Sequence, residues 1–160
     1  MLIRVLSYNM HRAIGVDRLF RPERIAKVIN HHQADIVLLQ EVDVGVPRSK
    51  KLDLAKEMAE AAGYPHYATG LNVKLRKGRY GNATLSKFPI VHSRNINLTV
   101  GKRKARGCLH STIEINNSID FTFANSEIDV GVSHSIPRRA DPAMTYPLRR
   151  LPGPAAPFPV

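Results

Sequence analysis

The chain has 160 residues, 43% hydrophobic and 23% charged, which excludes a disordered or fibrous polypeptide and makes one domain with a sizeable core the default. A net charge of +11 suits a phosphate-bearing partner, in nucleic acid, nucleotides or anionic lipid. No apolar run approaches the roughly 18 residues that span a bilayer, no signal peptide is visible, and the lone Cys108 cannot form an internal disulfide, so a cytoplasmic setting is expected.

Leu2–Tyr8 reads as a buried strand that ends on the polar Asn9. A loop follows, His11–Phe20. Pro22 suits the first turn of a helix, and Ile25, Val28 and Ile29 recur at i, i+3 and i+4, so a helix is expected over about 22–32. Asp35–Gln40 is a second strand, and Glu41 stands at its C-terminal edge. The near-continuous apolar runs suit strands covered on both faces. Strand–helix–strand order suggests a parallel crossover that brings Asn9 and Glu41 to one end of a sheet.

Leu52, Ala55, Ala59 and Ala62 give a second helical face, ended by Gly63. Short strands are expected at about 64–69, 72–75, 82–87, 90–98, 107–115 and 119–124, with Asn116-Asn117-Ser118 as a hairpin turn. Cys108 falls in an apolar alternation and reads as a small core residue. After Ser126 no period of 2 or 3.6 is sustained. Of the eleven prolines, all but Pro22, Pro47, Pro65 and Pro89 lie beyond residue 136. Residues 126–160 are therefore expected to be an irregular or disordered Pro-rich tail behind a domain over about 1–125.

Asn9 offers a carbonyl oxygen and Glu41 a carboxylate, hard donors suited to Mg²⁺ or Mn²⁺. Two protein ligands suffice when water and substrate phosphate complete the shell. Spacing alone favours two polar residues that merely end strands. His11 reads either as a phosphate contact or as an ordinary loop histidine. The excess of positive charge gathers in Arg48/Lys50/Lys51, Lys74/Arg76/Lys77/Arg79 and Lys102/Arg103/Lys104/Arg106. Each cluster alone reads as a solvated loop, and the three together point to a phosphate-bearing substrate.

Ser7-Tyr8-Asn9-Met10-His11, Leu39-Gln40-Glu41-Val42-Asp43 and Tyr80-Gly81-Asn82-Ala83-Thr84-Leu85-Ser86-Lys87-Phe88-Pro89-Ile90, in this order, resemble the endonuclease/exonuclease/phosphatase superfamily. Arg48-Ser49 and Ala105-Arg106-Gly107 extend the likeness, which covers residues of about 2–125. It implies an α+β fold, the deoxyribonuclease-I-like four-layer α/β sandwich, here as an incomplete half. It also implies a Mg²⁺-dependent hydrolase acting on phosphate esters, nucleic acid among them. Asn9 and Glu41 match the metal positions, Tyr80 and Asn82 the catalytic pocket, and Arg48 and Arg106 are candidate phosphate contacts, beside His11 as read above.

The likeness stops short of the family's later motifs. Asn125 is followed by Ser126-Glu127 where the family carries N-x-H, and neither G-D-x-N nor S-D-H occurs. A truncated or frame-shifted chain of weak or no activity is the expectation. The alternatives are a non-catalytic basic module that binds nucleic acid or anionic surfaces, and a product with no function. Half a sandwich would leave Leu109, Ser111, Ile113, Ile115, Phe121 and Phe123 on an open sheet face, with poor solubility.

Overall fold

A computed structural model describes residues 2–115, 119–126 and 143–148, with side chains described for 2–115 and 121–126. The elements are β1 (Ile3–Asn9), α1 (Pro22–His32), β2 (Ile36–Val44), α2 (Leu54–Ala62), β3 (His66–Lys74), β4 (Arg79–Ser86), β5 (Ile90–Asn97), β6 (Gly107–Ile115), β7 (Ile119–Ser126) and β8 (Ala143–Leu148). Two sheets form, in the orders β3-β4-β2-β1-β8 and β5-β6-β7.

Both helices begin and end where local chemistry dictates. Pro22 opens α1, where its missing N–H costs nothing, and Gln33 closes it in the left-handed region at φ 46°. Asp53 caps α2 by accepting from the N–H groups of Ala55 and Lys56, both at 3.1 Å. Gly63, at φ 72°, stops that helix and donates back to Ala59 and Glu60.

β1 and β2 pair in parallel, with Asn9 opposite Gln40, so the two strand ends expected to share an edge do share it. Each strand is apolar on both faces because both faces are covered. Leu6, Val37, Leu39 and Leu85 pack under Ile25, Ile29, Leu54 and Met58 of the helices. On the other face Ile3, Val5 and Ile36 meet Ile113, Ile115 and Phe123 of the second sheet. Three layers are thus present among the described residues.

The expected open face is overturned by this arrangement. β5, β6 and β7 do not extend the first sheet; they lie over it. Leu109, Ser111, Ile113, Ile115 and Phe123 are buried between the sheets, and Phe121 packs against the same cluster. Two expected short strands around residues 64–75 are one strand, β3, bulged between Gly70 and Val73. Cys108 is buried and free, as expected.

Within the segment expected to be irregular, Ala143–Leu148 is a strand. It pairs antiparallel with β1, and Pro147 stands opposite Arg4. Periodicity could not show it: the free edge of β1 supplies its ladder, and an edge strand tolerates a proline. The expected turn at Asn116-Asn117-Ser118 and the rest of the tail lie outside the described residues.

Tyr64 anchors the start of β3 against α1. Its hydroxyl donates to the Ala34 carbonyl at 2.8 Å. Burial, helped by the nearby Asp35 carboxylate, pushes the phenol up to about 12 from 10.0. The folded form therefore holds a proton that the unfolded form releases first, and stability conferred by Tyr64 is lost as pH rises from about 10 towards 12. Urea denaturation should show wild type losing stability over that range more steeply than Tyr64→Phe. Parallel losses in the two proteins would contradict this account.

Candidate active site

The β2–β4 ladder pairs Leu39 with Ala83 and next Val42 with Gly81. Gln40 and Glu41 therefore share one opposing residue, Asn82, and the extra residue makes a β-bulge. Glu41 sits at φ 59°, in the left-handed region where a non-glycine residue is strained. Gln40 faces the second sheet in line with Ile36 and Leu38, and the bulge returns Val42 to the helix-side core. Glu41 is left at the sheet edge, its side chain 14% exposed.

A buried amide network holds the bulge. Asn125 of β7 donates through Nδ2 to the Leu39 carbonyl at 3.0 Å and the Ala83 carbonyl at 2.8 Å. Its Oδ1 accepts from Gln40 Nε2 at 2.8 Å. Asn82 Nδ2 donates to the carbonyls of Asn125 (3.1 Å) and Gly107 (3.3 Å). The expected pocket residue Asn82 thus also ties the first sheet to the second.

Beside the bulge, the chain leaves β1 through His11, Arg12 and Ala13, at φ 45°, 59° and 58°. Asn9 Oδ1 accepts from the His11 backbone N–H at 3.0 Å. This turn brings two side-chain nitrogens to the carboxylate: His11 Nδ1 lies 3.1 Å and Arg12 Nε 3.3 Å from Glu41 Oε2. Yet Glu41 Oε2 and Arg12 Nε, both buried atoms, make no hydrogen bond. A cavity of about 440 Å³ opens next to Asn9 and His11, lined also by Tyr8, Ile14, Arg21 and Arg24. A second cavity, of about 670 Å³, lies around Arg4, Asp35 and Lys87 and contains none of the expected site residues.

On the other side of Glu41 the basic clusters converge. Arg48 grips the fully buried Asp43 with two bonds, Nε to Oδ2 and Nη2 to Oδ1, both 2.8 Å. This pairing, reinforced by the fields of Tyr80 and Glu41, raises the Arg48 pKa further above its ordinary value. The buried Tyr80 ring has two cations near it, with Arg48 Cζ 5.6 Å and Lys104 Nζ 5.9 Å from its centroid. Arg106 lines a narrow cleft with Tyr80, Asn82 and Asn72. The turn carrying Lys74, Arg76, Lys77 and Arg79 backs onto the loop after β2, where a side chain on Gly78 would meet the Gly45 carbonyl carbon at 2.6 Å.

The structure therefore gathers Asn9, Glu41 and His11 on one side, and Tyr80, Asn82, Arg48 and Arg106 on the other, about the same bulge. Arg12, Asp43, Gln40 and Asn125 were not foreseen as site residues. Asp43 and Arg48 carry opposite charges five residues apart, a signal that burial alone turns into a strong pair. Asn125 gave none, because its partners are 42 to 86 residues away in sequence.

The donors fit a hard divalent cation. Glu41 supplies a buried carboxylate oxygen with no hydrogen bond, and Asn9 an exposed amide oxygen. Among the described residues no group of three or more His, Cys, Asp or Glu side chains is placed to hold a metal. Water and substrate would have to complete the shell.

Two face-packed sheets with helices outside and oxygen donors at one sheet end define an α+β sandwich of the deoxyribonuclease-I type. The family model described as Endonuclease/Exonuclease/phosphatase family matches residues 6–153, and the chain belongs to that family. Uncharacterized protein YbhP of Escherichia coli (strain K12) is 30% identical over 118 residues, 69% of this chain and 46% of that relative. The chain thus spans about half the length of that relative. The crystal structure of an endonuclease/exonuclease/phosphatase from Beutenbergia cavernae DSM 12333 aligns with TM-score 0.69 at 26% identity, over 82% of this chain and 39% of the other. ANGEL2, a 2',3'-cyclic phosphatase, shares the fold at TM-score 0.61 and 19% identity, over 82% and 42% of the two chains.

Asp43→Ala should cost about 2 kcal/mol of stability, because it strips two charge-assisted bonds from Arg48. A double-mutant cycle with Arg48→Ala, read by denaturant unfolding, should show the two losses overlapping. Fully additive losses would mean that the pair does not couple.

Proposed function

We propose that this chain carries the metal- and phosphate-binding part of a Mg²⁺-dependent phosphoesterase. The observation that carries it is the Glu41 carboxylate, forced to the sheet edge by a strained bulge and left with a buried oxygen that makes no hydrogen bond. Asn9 and Glu41 would hold the ion, with Mn²⁺ as an alternative. Bound there, the metal supplies Lewis-acid polarisation of a phosphoryl oxygen and charge stabilisation on the leaving group.

The chain's own residues do the rest. His11 and Arg106 reach a phosphate on either side of Glu41. Arg48 presents a permanent positive charge, fixed in direction by Asp43. Tyr80 holds Arg48 and Lys104 in place across its ring and lines the cleft with Asn82. The exposed lysines and arginines around them favour an extended polyanion such as nucleic acid as substrate. ANGEL2's description as a 2',3'-cyclic phosphatase makes a cyclic phosphodiester a second substrate to test.

The chain has neither G-D-x-N nor S-D-H, the family's source of transition-state and general-base groups. Missing general-base assistance costs about 10²–10⁴-fold in rate, so turnover by this chain is expected to be weak. We read residues 1–125 as the N-terminal part of the family domain and 126–160 as a segment of Pro-rich character. A reducing, cytoplasmic compartment suits the buried free Cys108. The convergence of three basic clusters also favours a second reading, a non-catalytic module that binds nucleic acid.

Hydrolysis of single-stranded nucleic acid, of a 2',3'-cyclic nucleotide and of a generic phosphodiester separates these readings. Slow turnover that needs Mg²⁺, stops with chelator and falls at least about 100-fold in Glu41→Ala is the expected result. Turnover indifferent to both changes would refute the metal reading. Binding that weakens with salt, without turnover, would leave the module.

A further inference from the structure

Two arginine–carboxylate pairs stand at this site, and they are built differently. Arg48 meets Asp43 fork to fork, with two aligned bonds of 2.8 Å. Arg12 meets Glu41 through a single 3.3 Å approach of Nε to Oε2 that is too poorly aligned to be a hydrogen bond. The first geometry locks two side chains together. The second neutralises a charge without locking it.

The Arg12 side chain also reaches solvent. It is 26% exposed, and its outer Nη2 rests against the His11 ring, 3.2 Å from Nδ1 and 3.0 Å from Nε2. Both partners of the pair, Arg12 and Glu41, have left-handed backbones at φ 59°. A partly buried carboxylate needs a cation nearby, and Arg12 is the permanently charged group beside Glu41, next to the His11 ring whose Nδ1 lies 3.1 Å from the same oxygen. A divalent ion on Oε2 and a guanidinium 3.3 Å from the same oxygen would repel each other strongly, so the two positions exclude one another.

We propose that Arg12 is a placeholder cation for Glu41: it neutralises the carboxylate in the metal-free protein and must be displaced when the metal binds. This rests on the metal reading of Asn9 and Glu41 given above. The consequence is a metal site weaker than its donors alone would make it, with a guanidinium released beside the cavity at Asn9 when the site fills. Arg12 then becomes available to a substrate phosphate only in the loaded protein. That couples metal occupancy to phosphate binding without any change in the fold.

Calorimetric titration of Mn²⁺ into the full chain at neutral pH and fixed ionic strength tests the idea. Arg12→Met removes the charge at similar length. Arg12→Asn removes it with a residue that tolerates the left-handed backbone, should the Met variant fail to fold. Arg12→Lys keeps the charge, and Glu41→Gln removes the proposed ligand. Either neutral variant should bind Mn²⁺ about tenfold more tightly than wild type, Arg12→Lys should stay within about threefold of it, and Glu41→Gln should lose binding. Neutral variants that bind equally or more weakly, with Glu41→Gln still losing the ion, would overturn the placeholder and leave the metal site standing. Equal binding by all the proteins, Glu41→Gln included, would overturn both.

Discussion

One bulge organises this protein. Gln40 and Glu41 occupy the space opposite a single residue, Asn82, and the rest of the site follows from that extra residue. Without it, strand alternation would carry Glu41 onto the helix-covered face, beneath Val37 and Leu39 of the same strand, where an ionised carboxylate is costly. With it, the carboxylate reaches the sheet edge and the apolar alternation resumes at Val42. A left-handed glutamate costs roughly 1–2 kcal/mol, and the Asn125 and Gln40 bonds on either side offset that strain.

The interface between the sheets is graded to match. At the far end from the site it is hydrocarbon, with Ile3, Val5 and Ile36 against Ile113, Ile115 and Phe123. Midway, Ser111 donates to Thr84 at 3.3 Å. At the site end it becomes the amide network of Gln40, Asn82 and Asn125. Burial of the apolar end supplies the non-directional stability. The directional bonds at the other end fix the geometry, where a small displacement would move Glu41 away from Asn9. Gly81 belongs to this design: a side chain there would meet the Gly70 carbonyl oxygen at 2.1 Å, so β3 can bulge against β4 only beside a glycine.

The parts of this design that are local in sequence were legible in the sequence. Apolar runs gave β1 and β2, the 3.6 period gave α1 and α2, and crossover logic placed Asn9 and Glu41 at one end. Family motifs pointed to Tyr80, Asn82, Arg48 and Arg106, which the fold gathers about the same bulge. The bulge itself was not legible, because Gln40-Glu41 reads as the plain end of a strand until β4 is laid beside it. The second sheet was misjudged for a related reason. Alternation told that Leu109, Ile113 and Phe123 share a face, but not that the face closes on Ile3 and Ile36. Arg12 carried no signal in the sequence, since only folding brings Glu41 to it.

Electrostatics give these elements a common direction. Three basic segments separated in sequence approach one sheet end, and the two carboxylates there, Asp43 and Glu41, are treated differently. Asp43 is fully buried and spent on Arg48, whereas Glu41 keeps a buried oxygen without a hydrogen bond. A site that commits one carboxylate to orienting a cation and reserves the other for an ion is the central claim. Anomalous scattering from crystals of the chain soaked in Mn²⁺ tests it most directly. The claim predicts a peak about 2.2 Å from a Glu41 carboxylate oxygen and from Asn9 Oδ1. A peak bound elsewhere, or none beside Glu41 at saturating Mn²⁺, would contradict it.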